Sequence, residues 1–192
     1  MAGPSASRAK AKSLAVLIVV AAASFAPGPA AGQALPQFTR PDSEANRASS
    51  QGRLRPADST AAGLLRGAMA RSATFRAIVE TIEGSDLIVY IETRPNRLPG
   101  QLQLLAATPD CRHVRVSVRT PGLDTELIAW MGHELWHAVE VAGAPEVRDQ
   151  ATLLRLYQRI GVAGASGTTA ETAKAQEVWM RVLREVRANR AR

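Results

Sequence analysis

Two of the three histidines in this chain lie four positions apart, in the HExxH segment of residues 133–137. Side chains at positions i and i+4 of an α-helix lie on one face, about 6 Å apart along the axis. If the segment is helical, both imidazoles can bind the same metal ion. A helix is predicted, because apolar side chains recur at helical spacing and Asp124 follows Pro121-Gly122 as a candidate N-cap. The recurring apolar residues are Leu127, Ile128, Trp130, Met131, Leu135 and Val139.

Zinc is the metal that His133 and His137 favour, because Zn²⁺ binds neutral imidazole nitrogen in tetrahedral geometry. Zinc also lowers the pKa of a bound water to about 7. Glu134 directly follows the first histidine, where it can accept a proton from that water as a general base. The alternative is a core helix whose histidines are satisfied by hydrogen bonds, but this leaves Glu134 unexplained on a largely apolar helix.

Through His133, Glu134 and His137, residues 123–143 resemble the active-site helix of the zincin metallopeptidases. The resemblance implies that both histidines bind catalytic zinc and that Glu134 is the general base. The motif itself does not specify the substrate, and a peptide or protein is expected only because the chain as a whole is predicted to be a metallopeptidase. It also implies a sheet edge that binds extended substrate, for which the strand of residues 113–119 is the candidate. Two alternatives stay open: a non-catalytic zincin scaffold for binding or assembly in the cell envelope, and a fortuitous motif in a membrane-anchored helical protein.

The rest of the chain predicts an α+β domain with zincin-like elements. Apolar periodicity indicates helices, and β-branched or alternating segments indicate strands. We expect a long N-terminal helix, a small mostly antiparallel sheet, the HExxH helix and two C-terminal helices. The predicted bounds are 64–82 for the first helix, 86–92, 102–107 and 113–119 for the strands, 146–160 for the helix after the motif, and an end near Ala188 for the last helix.

A catalytic zinc site with two histidines needs a third protein ligand, and the family patterns narrow the choice. The metzincin extension requires a glycine and a histidine at the positions of Glu140 and Gly143. A thermolysin-like spacing requires a glutamate near position 157, but residues 150–170 contain no acidic residue. The acids that remain are Glu140, Glu146, Asp149 and Glu171.

Glu171 is the predicted ligand, because it shares a helical stripe with residues 175, 178, 182 and 186 and should point inward. A buried carboxylate without a partner costs several kcal/mol, so a metal would explain its position. The resemblance implies a similar arrangement, since gluzincins complete the site with a glutamate from a later helix. The alternative is a capping box, in which Glu171 bonds the backbone of Thr168.

The other acids have simpler explanations. Glu140 lies one turn beyond His137 on the same face and is predicted to orient a histidine or an arginine. Glu146 and Asp149 open a helix and complement its dipole. If Glu171 proves to be only a capping residue, Glu140 or Glu146 inherits the ligand role.

Three further residues have both a structural and a functional explanation. His113 alternates with valines and lies among arginines, which favours an exposed strand residue over a metal ligand. Tyr157 lies among leucines of an amphipathic helix, which is typical of a core residue, although its hydroxyl could stabilise an oxyanion. Cys111 is the only cysteine, so the chain cannot form an internal disulfide.

The N-terminus is typical of an export signal, which we assign to residues 1–34. Basic residues precede an apolar run over residues 14–26, which is shorter than the roughly 20 residues of a membrane span. Cleavage before Leu35 would release a secreted or periplasmic protein without stable membrane insertion. An uncleaved N-terminal anchor is the alternative.

Residues 35–57 are rich in proline and polar side chains, which predicts a flexible linker before a zincin-like domain of residues 58–192. Loss of the leader lowers the formal net charge from +7 to about +4. The arginines are scattered and only 4% of residues are aromatic. The chain therefore lacks the basic, base-stacking surface expected of a nucleic-acid-binding protein.

Overall fold

Five α-helices and a four-stranded sheet make up residues 52–162 and 171–189, which are the residues that the computed structural model describes. The predicted α+β class is confirmed. Within these residues, no helix is both long and apolar enough to cross a bilayer. The elements are β1 (Leu54–Pro56), α1 (Ser59–Arg71), α2 (Ala73–Glu83), β2 (Leu87–Arg94), β3 (Gly100–Ala107), β4 (Arg112–Arg119), α3 (Asp124–Ala142), α4 (Gln150–Ile160) and α5 (Ala173–Ala188).

The sheet is mixed, with the strand order β1-β2-β4-β3. β1 pairs in parallel with β2, β2 pairs in parallel with β4, and β3 runs antiparallel to β4. The expectation of a mostly antiparallel sheet is therefore wrong. Helices α1 and α2 connect β1 to β2, and a crossover of this kind returns the chain in the same direction. After β2 the chain forms β3, which is the edge of the sheet opposite β1. It then returns as β4, which lies between β2 and β3.

The long first helix expected over residues 64–82 is two helices, because Ser72 separates α1 from α2. Ser72 has extended backbone angles, φ −129° and ψ 119°, and its Oγ accepts a hydrogen bond from the backbone N–H of Phe75. The same hydroxyl donates to Glu185 Oε2 on α5 at 2.5 Å. A serine whose side chain hydrogen-bonds the nearby backbone favours the start of a helix over its interior. The apolar periodicity therefore continues through Ser72, although the helix is interrupted there.

β1 lies within the stretch 35–57, so the linker prediction is wrong for its last residues. Leu54 lies opposite Val89 in the parallel ladder, and the Glu83 carboxylate accepts a hydrogen bond from the backbone N–H of Arg53 at 3.0 Å. A three-residue strand is too short to show a period in the sequence. The predicted signal peptide and the earlier part of the linker lie outside the described residues.

α3 is the central helix, and it packs against the sheet on one side and against α2 and α5 on the other. The valine face predicted for β4 is confirmed, because Val114, Val116 and Val118 are fully buried. Leu123, not Asp124, is the N-cap of α3, and it makes no side-chain cap hydrogen bond. The helix that carries the HExxH segment is therefore held by packing along its length more than by its first turn.

Arg112 fastens the C-terminal end of α3 to the sheet. Its side chain is 1% exposed and forms an ion pair with Asp86 at 2.6 Å. Its Nη1 donates to the carbonyl oxygens of Val141 and Ala144, both at 2.8 Å. The last carbonyls of a helix carry partial negative charge, so a guanidinium there is stabilising. The residue lies on the valine face of β4, where the sequence alone gives no reason to bury an arginine.

Candidate metal centre

α3 presents both histidines of the HExxH segment on one buried face, as the spacing predicts. The ring centroids of His133 and His137 lie 4.9 Å apart. Their side chains are 1% and 3% exposed. Local helix geometry thus places a pair of imidazoles in the protein interior.

Glu171 joins the two histidines from a distant part of the chain. Its Oε1 lies 3.5 Å from His133 Nε2, and one possible ligand atom from each of the three residues lies within 4.8 Å of the other two. Atoms that bind one zinc ion at about 2 Å lie roughly 3 to 4 Å apart, so a small adjustment would bring this cluster onto one cation. The fold brings together the three side chains predicted as ligands.

Glu171 points inward for a different reason from the predicted one. α5 begins at Ala173 with Thr172 as its N-cap, so Glu171 precedes the helix and does not lie on its buried stripe. The capping-box alternative requires Glu171 in the first turn, which this start excludes; Thr168 lies outside the described residues. The backbone N–H of Thr172 donates to Glu171 Oε1 at 3.0 Å and so fixes the carboxylate.

Each imidazole uses Nδ1 for a hydrogen bond, which leaves Nε2 available to a metal. His133 Nδ1 donates to the carbonyl oxygen of Ala175 at 3.1 Å, and His137 Nδ1 donates to Glu140 Oε2 at 2.8 Å. Both partners can only accept, so Nδ1 carries the proton in each ring. Both Nε2 atoms are buried, and neither has a hydrogen-bond partner among the described residues. Metal-binding histidines have this arrangement, and Glu140 occupies the orienting position predicted for it.

Burial and neighbouring charges set the protonation of the two rings. Burial, assisted by the charge of His137, lowers the pKa of His133 to about 3, so this imidazole is neutral at pH 7. Burial also acts to lower the pKa of His137, but its hydrogen bond to Glu140 and the charge of Glu134 outweigh it and raise the value. A protonated His137 carries its second proton on Nε2. A cation at Nε2 would compete with this second proton, so metal binding should release it.

Glu134, the predicted base, is fully buried, and neither carboxylate oxygen has a hydrogen-bond partner among the described residues. Burial raises its pKa to about 8. Gly100, the first residue of β3, packs against this side chain, and a Cβ at that position would lie 2.8 Å from Glu134 Cδ. A buried carboxylate of this kind is costly unless another group binds it, and a metal-bound water is such a group.

Two of the four candidate acids lie away from this cluster. The Glu146 side chain is 54% exposed and pairs with Arg159 at 3.0 Å. Asp149 is the N-cap of α4 and accepts a hydrogen bond from the backbone N–H of Thr152. α4 consequently begins at Gln150, four residues later than predicted.

His113 lies on β4, whose alternation places it on the sheet face opposite the buried valines. Its Nε2 is 3.3 Å from Cys111 Sγ, and its Nδ1 is 3.4 Å from the Tyr90 hydroxyl. The residue is therefore not part of the metal cluster. β4 itself lies between β2 and β3, so the prediction that residues 113–119 form a substrate-binding edge is wrong.

Tyr157 packs against a candidate ligand and belongs to the core. It is 4% exposed, its ring centroid lies 5.4 Å from that of His137, and its hydroxyl donates to the His137 carbonyl oxygen at 3.4 Å. Burial raises the pKa of Tyr157 well above its ordinary value, so the hydroxyl keeps its proton. Its second predicted role, stabilisation of an oxyanion, stays a prediction.

The sequence alone does not identify three contributors to the site: Gly100, Thr172 and Ala175. Thr172 is of a residue type that often starts helices, which is the one signal available, but Thr168 competes with it for that position. Gly100 follows Pro99 and indicates only a turn. Ala175 acts through its backbone carbonyl, which no side-chain pattern reveals.

Chemically, the cluster offers two imidazole nitrogens and one carboxylate to a cation, with a second carboxylate, Glu134, beside them. No protein-family model, curated protein or solved structure matches the chain. We therefore infer its function from the residues and distances of the site.

Proposed function

We propose that the protein is a zinc-dependent metallopeptidase, exported to the periplasm or the cell exterior, that hydrolyses peptide bonds. His133, His137 and Glu171 hold the metal, and Glu134 is the general base. One observation carries the proposal: among the described residues, both Nε2 atoms and both Glu134 oxygens are buried without hydrogen-bond partners. Buried polar atoms are normally satisfied, so their convergence in one place indicates atoms arranged to bind a cation and its water.

The donor set suits zinc better than the hard divalent cations. Two imidazoles and one carboxylate match the His₂Glu set of catalytic zinc sites, whereas Mg²⁺ and Ca²⁺ prefer oxygen ligands. When bound, zinc polarises the scissile carbonyl and lowers the pKa of the water that it carries.

Glu134 moves the proton in the proposed reaction. One of its carboxylate oxygens accepts a proton from the water as the water oxygen attacks the carbonyl carbon. The same oxygen gives that proton to the leaving nitrogen as the C–N bond breaks, so the products are a carboxylic acid, which keeps the second proton of the water, and an amine. Burial supports this exchange, because a Glu134 pKa of about 8, which a neighbouring cation would bring down towards neutrality, suits a group that must both accept and release a proton.

β3 replaces β4 as the strand proposed to bind substrate. β3 is an edge strand of the sheet, and its first residue, Gly100, contacts Glu134. In the middle of the strand, Gln150 Nε2 donates to the Leu104 carbonyl oxygen at 2.9 Å, so that acceptor is already used. An extended peptide would add as a further strand along residues 100–103, which places its backbone next to the base.

A second function is favoured by the same burial. His133, Glu134, His137 and Glu171 are each 5% exposed or less, which also suits a metal that stabilises the fold of a non-catalytic binding or assembly module. The two functions predict different behaviour of the metal-loaded protein. The peptidase hydrolyses peptide bonds, whereas the binding module gains stability from zinc without hydrolysis.

The deciding experiment combines zinc analysis of the purified protein with hydrolysis of a denatured protein substrate. We expect about one zinc per chain in both wild type and Glu134→Gln, and hydrolysis only in wild type, because an amide cannot accept the proton. Glu126→Gln is the matched control, since Glu126 lies on the same helix with a side chain that is 47% exposed. Equal hydrolysis by wild type and Glu134→Gln would refute the assignment of the base.

A further inference from the structure

Thr172 makes hydrogen bonds on both sides of the candidate site. Its hydroxyl donates to Glu140 Oε1 at 2.6 Å and accepts from the backbone N–H of Ala175 at 3.1 Å. Its own backbone N–H donates to Glu171 Oε1 at 3.0 Å. The residue is 4% exposed, so water competes little for these bonds.

The direction of the hydrogen bonds is fixed by the chemistry of the partners. A backbone N–H can only donate and an ionised carboxylate can only accept, so the single hydroxyl proton of Thr172 must point to Glu140. Glu140 then uses one oxygen for Thr172 and the other for His137 Nδ1. The hydroxyl thereby holds the carboxylate that orients the second histidine.

The other two ligands depend on Thr172 through the backbone. Glu171 receives the Thr172 N–H directly. As N-cap of α5, Thr172 fixes the first turn, and the carbonyl of Ala175 in that turn accepts from His133 Nδ1. One residue thus contacts, directly or through one intermediate, each of the three side chains that would bind metal.

We propose that Thr172 is a positioning residue that sets the orientation of His133, His137 and Glu171 together, so that metal affinity depends on its hydroxyl. The inference rests on the proposed metal site, but it does not require peptide hydrolysis. It goes beyond ordinary helix capping, in which the hydroxyl oxygen only accepts from a backbone N–H of the helix, because the hydroxyl of Thr172 also donates its proton to Glu140. Loss of an outer hydrogen bond at a metal site typically weakens binding by about tenfold to a hundredfold.

The test measures zinc affinity by chelator competition, and the visible absorption of the cobalt-substituted protein, in Thr172→Val and Thr172→Ser. Valine has nearly the same shape but no hydroxyl, so we expect affinity to fall at least about tenfold and the cobalt bands to shift. Serine keeps the hydroxyl, so we expect it to restore both. Thr172→Ala serves the same purpose as valine should the valine methyl group that replaces the hydroxyl beside Glu140 prevent folding, and far-ultraviolet circular dichroism checks the fold.

Two controls separate positioning from capping. Asp149→Ala removes the N-cap of α4 without touching the cluster, so we expect its zinc affinity and cobalt spectrum to match wild type. In a double-mutant cycle with Glu140→Gln, the loss from Thr172→Val should be less than additive, because the hydroxyl acts through Glu140.

The possible outcomes are distinct. Wild-type affinity and spectrum in both Thr172→Val and Thr172→Ala, or full additivity with Glu140→Gln, would overturn the positioning role. Zinc binding by wild type without hydrolysis would overturn the peptidase and leave the role of Thr172 intact. Absence of zinc binding by wild type would overturn both.

Discussion

The backbone of Gly100 lies against the side chain of Glu134, and a Cβ on Gly100 would come within 2.6 Å of Glu134 Cγ. The start of an edge strand therefore confines the proposed base. No side chain larger than hydrogen fits at position 100 unless Glu134 moves, because side-chain atoms do not approach so closely without a shift.

Gly100→Ala should lower kcat by about 100-fold while zinc content stays near one per chain, since a displacement of about 1 Å can cost that much in catalysis. The measurement is steady-state hydrolysis together with metal analysis. Gly63→Ala is the matched control, because a Cβ at Gly63 meets no atom within 4 Å. Wild-type kcat in Gly100→Ala would show that the position of Glu134 is not critical.

Glu171→Gln should weaken zinc binding by at least about tenfold, because the amide loses the negative charge that faces the cation. Chelator competition measures this directly. Glu177→Gln, which changes an exposed partner of Lys174 on α5, should bind zinc as wild type does. Normal zinc affinity in Glu171→Gln would remove Glu171 from the ligand set.

Zinc should stabilise the fold, because the three ligands come from α3 and from the segment before α5. At a free zinc concentration about 100 times the dissociation constant, we expect a gain of ~2.7 kcal/mol in the free energy of unfolding. His133→Ala should show little of this gain, and Mg²⁺ should not replace zinc. Urea denaturation with and without metal gives the comparison, and an equal gain in His133→Ala would contradict the site.

Arg112→Met should lower the free energy of unfolding by about 3 kcal/mol or more, because it leaves Asp86 unpaired and removes the donor from the carbonyls at the end of α3. Arg159→Met removes an exposed ion pair and should change stability by less than about 1 kcal/mol. Urea denaturation of the two variants tests the difference. Similar losses in both would mean that Arg112 is held mainly by its aliphatic stem.

Asp86 should contribute to the acid sensitivity of the fold. Its hydrogen bond and ion pair with Arg112 hold its pKa below the ordinary value of 3.8, despite partial burial. A carboxyl whose pKa is lower when folded stabilises the protein above the unfolded pKa, and this stabilisation is lost as pH falls through the folded value. Asp86→Asn should therefore cost stability at pH 7 and progressively less below about pH 4. Asp110→Asn, at an exposed position, is the control. If Asp86→Asn lowered the free energy of unfolding by the same amount at every pH, the ionised Asp86 carboxylate would not be the source of the acid sensitivity.

Features carried by one continuous segment were predictable from the sequence. The helix containing His133 and His137, and the buried valines of β4, follow from periods of 3.6 and 2 that a local segment displays completely. Ser72 shows the limit, since its bond to Glu185 on a distant helix helps to set a break that periodicity does not reveal. The parallel pairing of β2 with β4 likewise depends on where β3 goes, which no strand pattern specifies.

The site shows the same division. His133 and His137 follow from their spacing, whereas Glu171 was selected by the pattern of a helix that in fact starts after it. The Glu171 carboxylate is held inward by a hydrogen bond from the Thr172 backbone N–H. The close contact between Gly100 and Glu134 results from the packing of the sheet against the helix. Contacts of this kind join segments far apart in the chain and leave no local signal.

The order of the strands separates the domain's point of attachment from its proposed reaction site. β1 and β3 form opposite edges of the sheet, and whatever precedes Arg53 joins the domain at β1, whereas Glu134 lies against the start of β3. A leader, a membrane anchor or an engineered fusion partner at the N-terminal end would therefore be attached at the β1 edge, which is the edge opposite β3 and Glu134. Immobilising the protein through that end should therefore leave the β3 edge free of the attachment, which suits surface-tethered binding measurements.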